Sequence, residues 1–322
     1  MGAHTGVARL SDLIRERVPD SQREGPASPQ GAASLPAARA WCASARQELK
    51  KIKEAVCSNK SPHLGACLDL ARHLVPLLHH GDELVRWALD GRTEDYVLDN
   101  ALHVAVLGAK VGVGLQYSQD DLEQLVVAGL LHDIGMWTLP VSLVEKKEAL
   151  SEDERDVLRT HPERGRRILA NHGGVWEWVS TVSAQEHERW DGSGYPCRLK
   201  EKQIVEPAQI IGMADTLDAM VTIRPYRTRL TPHQAVRELL IHTKTKFSLR
   251  VLKGLGDQIT LYPVGTHVRL NTGENGTVTR VNPRHPLRPV VTMAKFGESN
   301  EMDLSLRSSG HIVEVLQTTS AS

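Results

Sequence analysis

Apolar residues recur at helical spacing from Trp41 onward. Trp41, Ala45, Leu49, Ile52 and Val56 fall every three or four positions, the period of a helix with one buried face. Two more apolar stretches, Leu68 to Leu78 and Leu84 to Leu89, are parted by Gly81 and predict a short helical pair. From Tyr96 to about Leu255 the helix signals come with ends. Ser118 can cap the run Leu122, Leu125, Val126, Leu130, which stops at Gly135. Ser151 with Glu154 makes a capping box, each side chain satisfying backbone donors at the other's end, and opens a helix through His161 to Leu169. Thr231, Pro232 and Gln234 form another start, with proline where its missing N–H costs nothing.

Near Leu261 the pattern changes. Val264, Val268 and Leu270, then Val278 and Val281, then Val290 and Val291 alternate in short runs, cut by Asn271-Thr272-Gly273, Asn275-Gly276 and the proline-rich stretch Asn282 to Pro289. That punctuation excludes helix and predicts a small five-stranded β-barrel. At the other end, residues from about Pro19 to Pro36 are dense in Pro, Gly, Ser and Ala, so they bury too little surface to offset ordering entropy. The expected organisation is a flexible segment over 1–40, a helical region over 41–95, an all-helical domain over 96–257 and the barrel over 258–316. The fold class is mainly α.

Composition narrows the function. Lys and Arg number 39, as do Asp and Glu, so the formal charge is zero and no basic excess points to a nucleic-acid polymer as partner. The four cysteines, Cys42, Cys57, Cys67 and Cys197, form no CxxC pair, which argues against a zinc knuckle or secreted disulfide framework and for a reducing cytosol. The first residues alternate charge, and no window approaches the roughly 18 apolar residues of a membrane span, so the expectation is cytoplasmic with no membrane partner. Histidine is the surplus: 15, against 5 Tyr and 2 Phe.

Position sorts those histidines. His132-Asp133, His161, Glu186-His187 and Asp215 lie on or beside predicted helices among apolar neighbours such as Leu130-Leu131 and Ile210-Ile211. Buried Asp and His are costly unless paired or metal-bound. Imidazole mixed with carboxylate suits Fe, Mn, Zn or Ni rather than Ca or Mg. His103 and His172 read as helix-face residues, and His79-His80 as a solvated helix end. The glycines from Gly108 to Gly114 lack the Lys-Ser/Thr of a phosphate loop and read as permitting close helix packing.

Leu131-His132-Asp133-Ile134-Gly135, His161-Pro162-Glu163-Arg164-Gly165, the ten residues from His187 to Pro196, Ala214-Asp215 and Arg224-Pro225-Tyr226-Arg227 stand in the order and spacing of the HD-GYP branch of the HD phosphohydrolases. The resemblance covers roughly Tyr96 to Leu255. It implies an all-helical HD core that holds two or three metal ions, often iron or manganese, and hydrolyses cyclic di-GMP to pGpG or GMP with a metal-activated hydroxide. Carried residue by residue, it makes His132, Asp133, His161, Glu186, His187 and Asp215 metal ligands. His132 and Asp133 become the catalytic pair, with Asp133 as the bridge. Arg224, Arg227 and Tyr195 become substrate-binding, and the Gly192 to Pro196 loop a docking point for a signalling protein.

The chain departs from the family pattern at three ligand or phosphate positions. Asn100 stands where the family has its first histidine ligand, Glu186 where it has one of two paired histidines, and Met136 where it has a lysine beside the phosphate. Tyr96 occupies the place of an extra carboxylate in three-metal members, so two ions are expected. Glu188 and Asp191 are expected to steady the imidazoles from behind. The alternative reading is a weak or inactive signalling scaffold that binds nucleotide or protein partners through the same fold.

Overall fold

The structure is a computed structural model. It describes residues 31–316 apart from 81, 94, 147, 224–228, 260–261, 263, 283–287, 296–297 and 307–309. The described residues divide into two compact units, a helical one up to Gly254 and a second from Leu255.

Three helices precede the core: α1 (Gly31–Cys57), α2 (Gly65–His80) and α3 (Glu83–Leu89). Trp41, Ala45, Leu49 and Ile52 are buried along one face of α1, as their spacing requires. Trp41 Nε1 donates to the Leu70 carbonyl of α2 at 2.9 Å. The helix begins ten residues inside the segment 1–40 expected to be flexible. Alanine-rich sequence around Pro36 carries strong helix propensity, and Ala38 is buried in line with Trp41, so packing outweighs the glycine and proline content there.

The core helix is α4 (Tyr96–Gly114), capped by Asp95, whose side chain accepts from the Leu98 amide. The sequence contains no obvious spanning run, yet among the described residues α4 alone is long and apolar enough to cross a membrane. Its setting is that of a core helix, with 78% of the apolar window buried by protein. Its first turn is tied to α1 by Arg46, whose guanidinium lies 2.6 Å from Asp99 Oδ1. Then follow α5 (Gln119–Leu131), a 3₁₀ turn (Ile134–Thr138), α6 (Val141–Val144) and α7 (Glu152–Leu158). The chain continues through α8 (His161–Ala170), α9 (Val175–Gln185), α10 (Glu206–Val221), α11 (Pro232–Ile241) and α12 (Leu249–Gln258). Ser118 caps α5, and the capping boxes of Ser151 with Glu154 and Thr231 with Gln234 are both formed. Close packing explains two of the core glycines: Gly108 lies against Ile211, and Gly112 against Leu122 and Leu125.

In the second unit the strands β1 (His267–Leu270), β2 (Asn275–Arg280), β3 (Val290–Lys295), β4 (Glu298–Asp303) and β5 (Ile312–Val315) form an antiparallel sheet in the order β4-β3-β2-β1-β5. The expected barrel is therefore not formed. Closure would require β4 to pair with β5, but they are the two edges of an open sheet. Strands of four to six residues give little length for the tilt and stagger that closure demands. Asn275-Gly276 also differs from its expected role as a turn. The reversal is made by Asn271 to Gly273, with Gly273 at φ 86°, while Gly276 is inside β2 against the Val291 side chain.

The end of α5 sets where the chemistry begins. Leu130 and Leu131 are buried to about the same degree as the rest of the core. Replacing Leu131 by Ala should cost about 2–5 kcal/mol, read as a lower midpoint in denaturant unfolding.

Candidate metal centre

Five backbone segments converge at one end of the helical unit. His132 and Asp133 follow directly on α5, so the burial of Leu130 and Leu131 fixes their height in the core. Gly135, in the 3₁₀ turn, lies against the His161 carbonyl and the Gly165 amide, where a side chain would overlap backbone. That contact presses the turn onto the start of α8 and brings Asp133 to His161. Pro162, in the first turn of α8, costs no hydrogen bond. Glu186 and His187 leave the end of α9, and Gly212 of α10 lies on the Glu186 carbonyl at a distance no Cβ could tolerate. Asp215 follows three residues later on the same face of α10.

Asp133, His161, Glu186 and His187 each offer a ligand atom, all within 4.8 Å of one another. His161 Nε2 is 3.1 Å from Asp133 Oδ1, 3.6 Å from Glu186 Oε1 and 2.9 Å from His187 Nε2. His187 Nε2 is also 2.9 Å from Glu186 Oε1. His132 is fully buried, with Nε2 3.6 Å from Asp133 Oδ2. The tautomers are fixed by main chain: His132 Nδ1 donates to the Gly129 carbonyl at 2.8 Å and His161 Nδ1 to the Leu158 carbonyl at 2.7 Å. In the neutral imidazoles both Nε2 atoms then carry lone pairs aimed at carboxylates. His132 Nε2, Asp133 Oδ1 and both Glu186 oxygens are buried with no aligned hydrogen-bond partner. Imidazole nitrogens and carboxylate oxygens crowded at about 3 Å, several of them without a hydrogen-bond partner, fit a divalent cation.

The remaining expected site residues fall at different depths. Asp215 lies close enough to feel the charges of Glu186, His132 and His187. Its Oδ1 accepts from Asn100 Nδ2 at 3.0 Å. Tyr195 stacks on His187 with ring centroids 4.6 Å apart, and Arg159 lies over the outer face of Tyr195 at 5.7 Å. Met136 is half-buried, and Tyr96 is partly exposed at the start of α4. Arg224 and Arg227 lie outside the described residues.

Two expectations are corrected. Glu188 and Asp191 shape the Gly-Tyr-Pro loop rather than steady the imidazoles, a task taken by the carbonyls of Gly129 and Leu158. Glu188 accepts from the Cys197 amide at 2.6 Å and the Leu199 amide at 2.9 Å, while Asp191 accepts from the Ser193 amide at 2.9 Å. His103, expected as a helix-face residue without a role in the site, is fully buried and its Nδ1 lies 2.7 Å from Asp218 Oδ1. Asp218 was missed in the sequence. The signal is an aspartate three residues after Asp215, between Leu217 and Ala219.

Electrostatics report the same crowding. Burial opposes charge on His161, but the carboxylates of Asp133 and Glu186 outweigh it and raise its pKa from 6.5 to about 10. Burial likewise opposes ionisation of Glu186, yet His187 and His161 hold it well below the usual carboxylate range. Asp215 is pushed up by burial and by the neighbouring Glu186. Without metal, His161 therefore carries a proton at neutral pH that a ligand must give up. Because its folded pKa is raised, the associated stability is full below about pH 6.5 and fades as pH rises through about 10. Metal added to metal-free protein at pH 7 should release protons, seen as a buffer-dependent heat in titration calorimetry. Affinity should tighten toward pH 9, and a pH-independent affinity would contradict this charge state.

An HD domain is matched over residues 86–250, about half of the chain. The chain is 30% identical over 215 residues to a cyclic di-GMP phosphodiesterase of Pseudomonas aeruginosa, covering 67% of this chain and 52% of that protein. It is 34% identical over 167 residues to the cyclic di-GMP phosphodiesterase response regulator RpfG of Xanthomonas campestris pv. campestris, covering 52% and 43% respectively. It thus spans about half the length of these curated relatives. Among solved structures, Bd1817, an HDGYP protein from Bdellovibrio bacteriovorus, shares the fold with a TM-score of 0.58 at 20% identity, covering 71% of this chain and 73% of that one. With Asp133, His161, Glu186 and His187 drawn together in such a helical core, the chain belongs to the HD-domain family.

Proposed function

We propose that the chain is a metal-dependent phosphodiesterase that hydrolyses cyclic di-GMP to linear pGpG or GMP. The observation that carries this reading is the convergence of Asp133, His161, Glu186 and His187 within 4.8 Å, with buried lone pairs that no hydrogen bond serves. His132, Asp133, His161, Glu186, His187 and Asp215 would hold two divalent ions, with iron or manganese favoured by the mixed imidazole and carboxylate donors. Such ions, when bound, lower the pKa of water and offset the charge that builds on a phosphodiester under attack.

The chain's own groups supply positioning. Asp133 turns one oxygen toward His161 and the other toward His132, so that each oxygen would be available to hold an ion. The Gly129 and Leu158 carbonyls keep both rings in the Nε2-ligating tautomer. Tyr195, stacked on His187 with Arg159 over its ring, walls one side of the site and is assigned to substrate contact. Arg224 and Arg227 are assigned to the substrate phosphates, a duty made heavier by methionine at position 136. The relatives named as cyclic di-GMP phosphodiesterases support that substrate. The Gly192 to Pro196 loop, braced from within by Glu188, is assigned to docking a signalling protein in the cytoplasm.

A second reading, a scaffold that keeps the fold and binds nucleotide without turnover, is favoured by Asn100, which brings an amide where an imidazole is expected. Protein prepared without oxygen and loaded with Mn(II) or Fe(II) should contain about two ions and convert cyclic di-GMP to linear product. Nucleotide retained without product at saturating metal selects the scaffold. His161→Ala should lower turnover by at least about a hundredfold, since losing a ligand exceeds the 10- to 100-fold cost of losing an outer partner.

A further inference from the structure

Asn100 and His103 stand three residues apart on α4, facing Asp215 and Asp218, three apart on α10. Asn100 Nδ2 donates to Asp215 Oδ1 at 3.0 Å and to Asp218 Oδ2 at 2.8 Å. Asp218, fully buried, also accepts from His103 Nδ1 at 2.7 Å and from Thr222 Oγ1 at 3.2 Å. The orientation of the Asn100 amide follows from chemistry. Both neighbours are carboxylate oxygens, which accept only, so the NH₂ group must face them and the carbonyl oxygen must turn away. In this arrangement the donor atom that could bind a metal points elsewhere.

We propose that Asn100 is a positioning residue. It fixes one oxygen of Asp215 so that the other is presented to the cluster, and Asp218, held in turn by His103 and Thr222, anchors the Asn100 amide. The residue at the position of a lost ligand thereby orients a neighbouring one. Three donors engage both oxygens of Asp218, so that carboxylate is already held by the two helices and its own side of the network. The pair Asp218 and His103 is the fixed end of the chain, and Asp215 is the adjustable end. Outer-shell hydrogen bonds of this kind contribute roughly 10- to 100-fold to metal affinity.

The inference rests on the metal centre proposed above, and its test reads metal binding rather than turnover. Metal-free wild type, Asn100→Ala and Asp218→Asn are titrated with Mn(II) for affinity and stoichiometry and with Co(II) for its visible absorption, which reports ligand geometry. Asn100→Ala should bind the wild-type number of ions about tenfold more weakly, with an altered Co(II) spectrum. Asp218→Asn, isosteric and with one acceptor oxygen for three donors, should shift both readouts the same way by less. It carries the comparison if Asn100→Ala proves poorly folded. A lower melting temperature with unchanged affinity and spectrum would mean a purely structural role and overturn the proposal. Loss of one whole ion from Asn100→Ala would make Asn100 a ligand and overturn it as well. Wild type that takes up neither metal would fail the metal centre itself, an outcome visible before any variant is compared.

Discussion

The governing constraint is like charge gathered in a place that water reaches poorly. Asp133 and Glu186 share a pocket with Asp215 close enough to feel their charges, and Glu186 is fully buried. Carboxylates at such range repel strongly in a low-dielectric interior unless positive charge stands between them. Protons on His161 and His132 can supply it, and so can a cation. The helices hold these groups together regardless, because the apolar faces of α4, α5 and α10 provide the burial that offsets the repulsion.

Backbone proximity does the assembling. Two glycines, Gly135 and Gly212, let main chain touch main chain at the points where Asp133 meets His161 and where α10 meets Glu186. Ligand positions on four different segments are thereby set by contacts with no rotamer freedom. Side chains then need to adjust only locally, and the carbonyls of Gly129 and Leu158 remove even the choice of tautomer.

Much of this was legible in the sequence because it depends on local patterns. The helix starts at Ser118, Ser151 and Thr231 follow from caps, and the nearness of Asp133, His161, Glu186 and His187 is what the family resemblance implies. What escaped depends on pairs distant in the chain. Nothing near His103 announces Asp218, which is 115 residues away, and nothing near Glu188 announces that it holds the loop rather than the rings. The open sheet escaped for a related reason: alternation reports that strands exist, while closure depends on whether the first and last edges meet. The early start of α1 reflects burial of Ala38 and Trp41, a tertiary term that outweighs glycine and proline content.

The brace inside the Gly-Tyr-Pro loop has a consequence for how such a site diversifies. Glu188 immediately follows His187, and its carboxylate grips the amides of Cys197 and Leu199. The loop is thus bolted to the residue beside the His187 imidazole. Neither can drift without dragging the other, so variation in this region is channelled into side-chain identity on a rigid frame, with excursions of the loop itself suppressed.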